Sequence, residues 1–365
     1  MLARNWIALQ AIAGVGAATC RRLFEAFGSA EAVFRASPEC LARAGLRPEV
    51  IREIVGFRRW TEVDEELRRA GDAGADLVSI DEARYPAALR FIHDPPPVLY
   101  VRGRLERVDV ESIAIVGSRS ASPYGLESAE RLAGGLAAAG VTVVSGLAIG
   151  IDAAAHRGAL AAGGRTIAVL GCGIDQVYPA RHRALALEMA EAGAVVSELR
   201  IGTPPEPHQF PRRNRLVSGL SLGVVVVEAS ERSGSLITAR LALEQGRDVL
   251  AVPGEIGLER TRGSHRLIRQ GATLVESARD VLESALPWRL PAPAAAPPDG
   301  TRGREELSAD AVRLLGAFES VTEPADRLIE RSGLNTARAL EILLELELAG
   351  RVRQHPGMRF SRRVG

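Results

Sequence analysis

Between residues 75 and 287, short β-branched apolar runs alternate with Ala- and Leu-rich stretches of helical length, and no other feature narrows the fold as much. The runs fall at 113–116, 141–144, 166–170, 194–197, 224–228, 248–252 and 272–275. Val224-Val225-Val226-Val227 is apolar at every position, as a strand buried on both faces requires. Strands separated by helices connect in parallel through right-handed crossovers, so the expected class is α/β with a doubly wound parallel sheet.

The flanks read differently. Residues 1–72 predict short helices, with apolar residues at helical spacing in Trp6, Ile7, Leu9 and Ile12 and in Leu23, Phe24 and Phe27. Ile12-Ala13-Gly14-Val15-Gly16, followed by Thr19, Arg22 and Leu23, looks like a helix-hairpin-helix turn. Such a turn presents amides to DNA phosphate or serves protein contacts. Residues 288–305 are Pro/Ala-rich and predict an extended linker. Residues 306–365 predict three helices and a short hairpin, a winged-helix pattern. Its recognition helix, near 335–349, carries Glu341, Glu345 and Glu347 against Arg338. That balance makes a poor major-groove reader, and a protein contact or plain packing suits it better.

Composition enters through one absence. The 365 residues contain no lysine, so all 46 basic side chains are arginine. A phosphate-loop NTPase, which needs G-x-x-x-x-G-K-[ST], is excluded, as is Schiff-base chemistry on a lysine amine. The three cysteines (Cys20, Cys40 and Cys172) are far apart, which argues against a disulfide framework or a zinc ribbon. No apolar run reaches membrane-spanning length and no secretory signal opens the chain, so a cytoplasmic protein is expected. Arg351, Arg353, Arg359, Arg362 and Arg363 make the end of the chain basic, as a nucleic-acid footprint or as solvated surface.

In a doubly wound sheet the ligand site lies where strands run into helices. The loops there are rich in small and polar residues: Gly117-Ser118-Arg119, Ser145-Gly146-Leu147-Ala148, and Ser233-Gly234-Ser235. Glycines admit close approach of an anion, hydroxyls donate, and Arg119 offers a bidentate cation. One such loop alone is equally a tight turn or a cap, but together they predict a phosphate-binding surface. The dinucleotide fingerprint is missing, because Gly117 is followed by Ser-Arg rather than x-Gly-x-x-Gly.

A second cluster, Phe210-Pro211-Arg212-Arg213-Asn214-Arg215, sets three cations beside an aromatic. Proteins hold single strands in this way, with phosphates on the cations and bases on the ring. The other reading places Phe210 in the core and the arginines in salt bridges. Cations are disfavoured at a helix start, which tips the balance toward an anionic partner. Asp152 and His156, four apart on one predicted helix, have no third ligand nearby, so a buried pair fixing the preceding loop is expected and no metal. Glu228 at a strand end is a loop support or a ribose ligand. No nucleophile elbow appears.

Taken in order, these motifs resemble one family. They include Gly117-Ser118-Arg119 with Ser122-Pro123-Tyr124-Gly125, and Ser145-Gly146-Leu147-Ala148 with Gly150-Ile151-Asp152 and Ala155-His156. Gly171, Gly173 and Asp175 with Tyr178-Pro179 follow, then Phe210-Pro211 with Arg213-Asn214-Arg215 and Ser218-Gly219-Leu220-Ser221. Glu228-Ala229 with Ser233-Gly234-Ser235-Leu236 and Thr238-Ala239 completes a set that resembles the DNA-processing protein A family (DprA, also called Smf).

The resemblance implies an extended Rossmann-like fold that binds single-stranded DNA as a dimer, protects it during natural transformation, and loads the RecA recombinase onto it, without catalysis or a cofactor. It implies that the Gly117-Ser118-Arg119 turn binds phosphate and that the Phe210–Arg215 segment walls the same pocket; with the loop reading above, the expected phosphate contacts are Gly117, Ser118, Arg119, Ser145, Gly146, Ala148, Arg212, Arg213, Asn214, Arg215, Ser233, Gly234 and Ser235. Base stacking falls to Phe210, and loop support to Asp152, His156 and Glu228. The competing function is a nucleoside-phosphate-processing enzyme on a related fold, which needs a paired acid and base in the pocket.

Overall fold

The computed structural model describes residues 2–290, 308–318, 322–348, 351–355 and 358–362. The chain forms two compact units, residues 1–291 and 292–365.

The larger unit is built on a nine-stranded sheet. Its strands are β1 (Asp76–Ser79), β2 (Val98–Gly103), β3 (Ser112–Gly117), β4 (Thr142–Ser145), β5 (Thr166–Val169), β6 (Ala194–Ser197), β7 (Gly223–Val227), β8 (Asp248–Ala251) and β9 (Thr273–Leu274). They lie in the order β1-β2-β6-β5-β4-β3-β7-β8-β9. All seven expected runs are strands, most with ends shifted by a residue or two. The seven expected strands pair in parallel, and β1 and β2, which the alternation did not show, add an antiparallel edge: they pair antiparallel with each other, and β2 pairs antiparallel with β6. The sheet is therefore mostly parallel.

The apolar runs follow from burial on both faces. Ala114, Val116, Val224 and Val226 point into one hydrophobic cluster, and Ile113, Ile115, Val225 and Val227 into another. Side chains alternate along a strand, so a run with no polar position is what two covered faces demand. The first cluster also takes in Trp6, Ile7 and Leu9 of the helix Leu2–Gln10, so the N-terminal helices share a core with the sheet. On the other face Ser122 caps the helix Pro123–Ala138, accepting from the Gly125 amide, with Pro123 at its first turn.

Chain order reverses at β3, which has β4 on one side and β7 on the other. That switch point opens a crevice at the carboxyl ends of the strands. Backbones crowd there: a Cβ on Gly117 would lie 1.8 Å from the Val227 carbonyl oxygen, so only glycine lets β3 end beside β7.

Trp288 and Arg289, expected in the linker, are tied to the larger unit through Glu111; the indole nitrogen donates to it at 2.7 Å. The expected linker from residue 291 to 305 lies outside the described residues. The smaller unit packs the helices Ala309–Gly316, Ala325–Ser332 and Thr336–Leu348 on a three-stranded sheet of β10 (Thr322–Pro324), β11 (Val352–His355) and β12 (Arg359–Arg362). Leu314, Leu328, Ile342, Leu343 and Phe360 form its core. It is a winged helix. Among the described residues no helix is long and apolar enough to cross a membrane.

Candidate functional site

The loops after β3, β4 and β7 converge with the helix Gln209–Leu220 around an open cavity of about 880 Å³. β3 delivers Gly117, Ser118 and Arg119 to its wall. The Ser118 hydroxyl accepts from the Ser120 amide at 3.1 Å, closing the turn and leaving the Arg119 side chain exposed.

β4 leads into Gly146 and Ala148, which line the cavity. Asp152, in the first turn of the helix Ile151–Ala161, accepts from their amides at 3.1 and 3.3 Å. A carboxylate suits that helix end. Burial raises its pKa, while the Arg213 charge and the two amides oppose the rise. The loop is further held at Leu147, a non-glycine residue at φ 57°, whose carbonyl oxygen lies 3.0 Å from His182 Nδ1.

After β7, the Glu228 carboxylate accepts from the Ser122 amide at 2.8 Å and from the Ser122 hydroxyl, fixing the start of the helix Pro123–Ala138. It therefore acts as a support. Ser233 caps the helix Gly234–Glu244, and its hydroxyl lies 2.7 Å from that of Ser235. Ser233, Gly234 and Ser235 all line the cavity, so the electropositive start of this helix forms part of the wall.

The helix Gln209–Leu220 supplies the third side. Arg213 is 5% exposed and donates to the Gly146 carbonyl oxygen at 2.7 Å and to that of Val169. Burial pushes its guanidinium down to about 10, which leaves it charged at neutral pH beneath the cavity. Asn214 donates to the Gly234 carbonyl oxygen at 3.3 Å and so joins two walls. Phe210 is half-buried over Gly171, where a Cβ would lie 2.8 Å from the ring. Its ring stands between the Arg119 guanidinium, 5.5 Å from the ring centre, and the Tyr178 ring, 5.7 Å away between centres. Phe210 is thus a half-buried aromatic lining the cavity and not a core residue.

Four expected site residues lie elsewhere. Arg215 is two positions beyond Arg213, about 200° around the helix, and it is buried between Asp94 at 2.8 Å and Glu198 at 2.5 Å. It braces the fold and does not line this cavity. Arg212 is exposed but outside the lining. The Ser145 hydroxyl points inward and donates to the Ile115 carbonyl oxygen at 2.6 Å, stitching β4 to β3. His156 bonds the Thr166 hydroxyl at 2.7 Å, so the loop is held by Asp152 without it. Burial, reinforced by the charges of His182, Arg213 and Arg157, lowers the His156 pKa to about 3 and keeps the ring neutral.

Among the lining residues that sequence reading did not place in the site are Tyr178 and Arg260. Tyr178 belongs to the Tyr178-Pro179 motif of the loop after β5, but nothing in the spacing tied it to Phe210. Arg260 lies in the first turn of the helix Glu259–Arg269, in a stretch with no recognisable pattern.

The fold and site are those of a Rossmann-like sheet whose switch-point crevice gathers amides, hydroxyls and guanidiniums at its strand ends. The family model for DNA recombination-mediator protein A matches residues 76–286, that for the DprA-like N-terminal HHH domain residues 3–54, and that for the DprA winged helix domain residues 291–358. The chain belongs to the DNA recombination-mediator protein A family, the DprA/Smf proteins. Protein Smf of Escherichia coli K12 is 41% identical over 323 residues, covering 87% of this chain and 85% of its own. The crystal structure of DNA processing protein A from Streptococcus pneumoniae matches with a TM-score of 0.69 at 36% identity, covering 77% of this chain and 98% of that one. The structure of DNA processing protein A from Helicobacter pylori, described for its single-stranded DNA binding mode, matches with a TM-score of 0.53 at 29% identity, covering 59% of this chain and 98% of that one.

Proposed function

We propose that this protein holds single-stranded DNA in the strand-end cavity, with phosphates on Arg119 and the loop amides and a base on Phe210. It thereby protects the strand and passes it to RecA recombinase during DNA uptake. The observation that carries this is the meeting of an exposed guanidinium, a buried one, a helix start and an aromatic pair around one cavity. Single-strand proteins need that combination, since phosphates require charge and unstacked bases require a ring. The relative from Helicobacter pylori, with its single-stranded DNA binding mode, supports the ligand class. RecA loading, a cytoplasmic homodimer and the lack of a cofactor rest on the family resemblance.

The role is non-catalytic in this proposal. Asp152 is committed to two amides and Glu228 to Ser122, so neither carboxylate is placed as a general base. Consumption of a ribonucleoside monophosphate by the purified protein would instead favour the enzyme.

The test is fluorescence anisotropy of labelled oligo-dT and a matched duplex across a salt series. Wild type binds the single strand preferentially and in a salt-sensitive manner. Arg119→Ala weakens binding and reduces the log–log salt slope by roughly 0.7 for each phosphate that is no longer neutralised. An unchanged slope and affinity removes Arg119 from the site, and equal affinity for the duplex overturns the single-strand assignment.

A further inference from the structure

A second cavity, of about 730 Å³, opens beside the first. The two share the lining residues Leu258 and Arg260, so they adjoin at the start of the helix Glu259–Arg269. Their linings differ in chemistry. The second is walled by Pro123, Tyr124, Pro253 and Leu258, with Glu228 and Glu255 also facing it. Two carboxylates and no cation but Arg260 make it hostile to a phosphate, whereas an aromatic ring between prolines is a wall for a flat apolar face.

Tyr124 is 51% exposed, an unusual position for so large a ring, and its hydroxyl donates to the Pro253 carbonyl oxygen at 3.3 Å. That bond holds the ring in place without burying it. Arg260 is exposed and has no hydrogen-bond or ion-pair partner among the described residues. It sits in the first turn of the helix beside Glu259, and it lines both cavities.

We infer that the second cavity receives another base of the bound single strand, stacked on Tyr124, with Arg260 holding the phosphate that passes between the cavities. This rests on the proposal that the first cavity binds the strand. The bound segment then runs from the Phe210–Tyr178 pair past Arg119, over Arg260 and onto Tyr124. The two aromatic stations are separated by cations, which is the alternation a sugar–phosphate chain requires.

The experiment uses the full chain with oligo-dT carrying 2-aminopurine at one position at a time. Wild type, Arg119→Ala, Phe210→Ala, Tyr124→Ala, Tyr124→Phe and Arg260→Ala are compared, with folding checked by circular dichroism. Tyr124→Ala should weaken binding about five- to hundredfold, the range for removing one base–aromatic stack, and leave the salt slope unchanged. Tyr124→Phe, which keeps the ring, should restore most of the affinity. Arg260→Ala should lower the slope by roughly 0.7. The 2-aminopurine position whose signal disappears in Tyr124→Ala should differ from the one that disappears in Phe210→Ala. Wild-type binding that Arg119→Ala weakens, but that Tyr124→Ala and Arg260→Ala leave intact, overturns this inference alone. No strand binding by wild type overturns the parent proposal with it.

Discussion

The helices Gln209–Leu220 and Thr336–Leu348 both begin with arginine-bearing polar turns, yet the charges meet opposite fates. In the winged helix, Arg338 donates to Glu341 at 2.7 Å and lies 3.6 Å from Asp310, so its charge is cancelled inside its own unit. The helix of the larger unit has no acid of its own. Arg215 finds Asp94 and Glu198 on other segments, while Arg213 donates to carbonyl oxygens and faces the cavity. Which arginine is left for a ligand depends on where the acids are folded to. A count of basic residues along the chain cannot supply that.

The largest effect should come from breaking the internal pairing. Arg215→Met leaves Glu198 buried without its cation, and removing one partner of such a pair costs about 3–5 kcal/mol. Chemical denaturation followed by tryptophan fluorescence measures this in the larger unit, since Trp6, Trp60 and Trp288 all belong to it. Arg119→Ala, on an exposed side chain, should change stability by no more than about 0.5 kcal/mol while weakening DNA binding. Equal stability losses in the two variants would erase the distinction between bracing and binding arginines.

A smaller effect sharpens the same contrast through pH. His156 is fully buried and neutral near Arg213, with a folded pKa of about 3 against an ordinary 6.5. Below 6.5 the unfolded chain takes up a proton that the folded chain refuses, so stability is lost as pH falls through that window. From pH 6.5 to 5 the loss is on the order of 1–2 kcal/mol. Asp152 opposes it: its folded pKa is raised, so its contribution is present at low pH and lost as pH rises through that folded value. His156→Asn, which keeps a polar side chain toward Thr166, should flatten the acid limb of the stability curve. An acid limb of the same steepness in the variant would show that another group titrates there.

Legibility followed the range of the interaction. Strand runs such as 224–227 were plain in the sequence because two buried faces leave no polar position. β2 was not, since Val98-Leu99-Tyr100-Val101 is short and follows three prolines, and its antiparallel partners are distant in the chain. Gly117, Ser118 and Arg119 could be read as a site because strand, turn and helix are contiguous there. Arg213 and Arg215 could not be told apart, because Asp94 and Glu198 approach from other segments. Ser145 misled in a similar way: its hydroxyl has a strand carbonyl to satisfy before any ligand. Tyr178, from a loop, and Arg260, from the first turn of a helix, enter the site only through tertiary folding, from stretches without a phosphate-binding pattern.

The smallest expected effect belongs to the winged helix. Arg338 is the only cation on the helix that would read a groove, and its partners Glu341 and Asp310 leave it no net charge to offer a phosphate. Arg338→Ala should therefore leave both single-strand affinity and its salt slope at wild-type values, and circular dichroism should show the unit still folded, because exposed ion pairs contribute little. A slope reduced by roughly 0.7, as when one phosphate goes unneutralised, would show that DNA competes successfully with the two acids. The comparison would then fail at its weakest point: local neutralisation would not be enough to withhold an arginine from the strand, and the acidic helix would have to be counted as part of the DNA-binding surface.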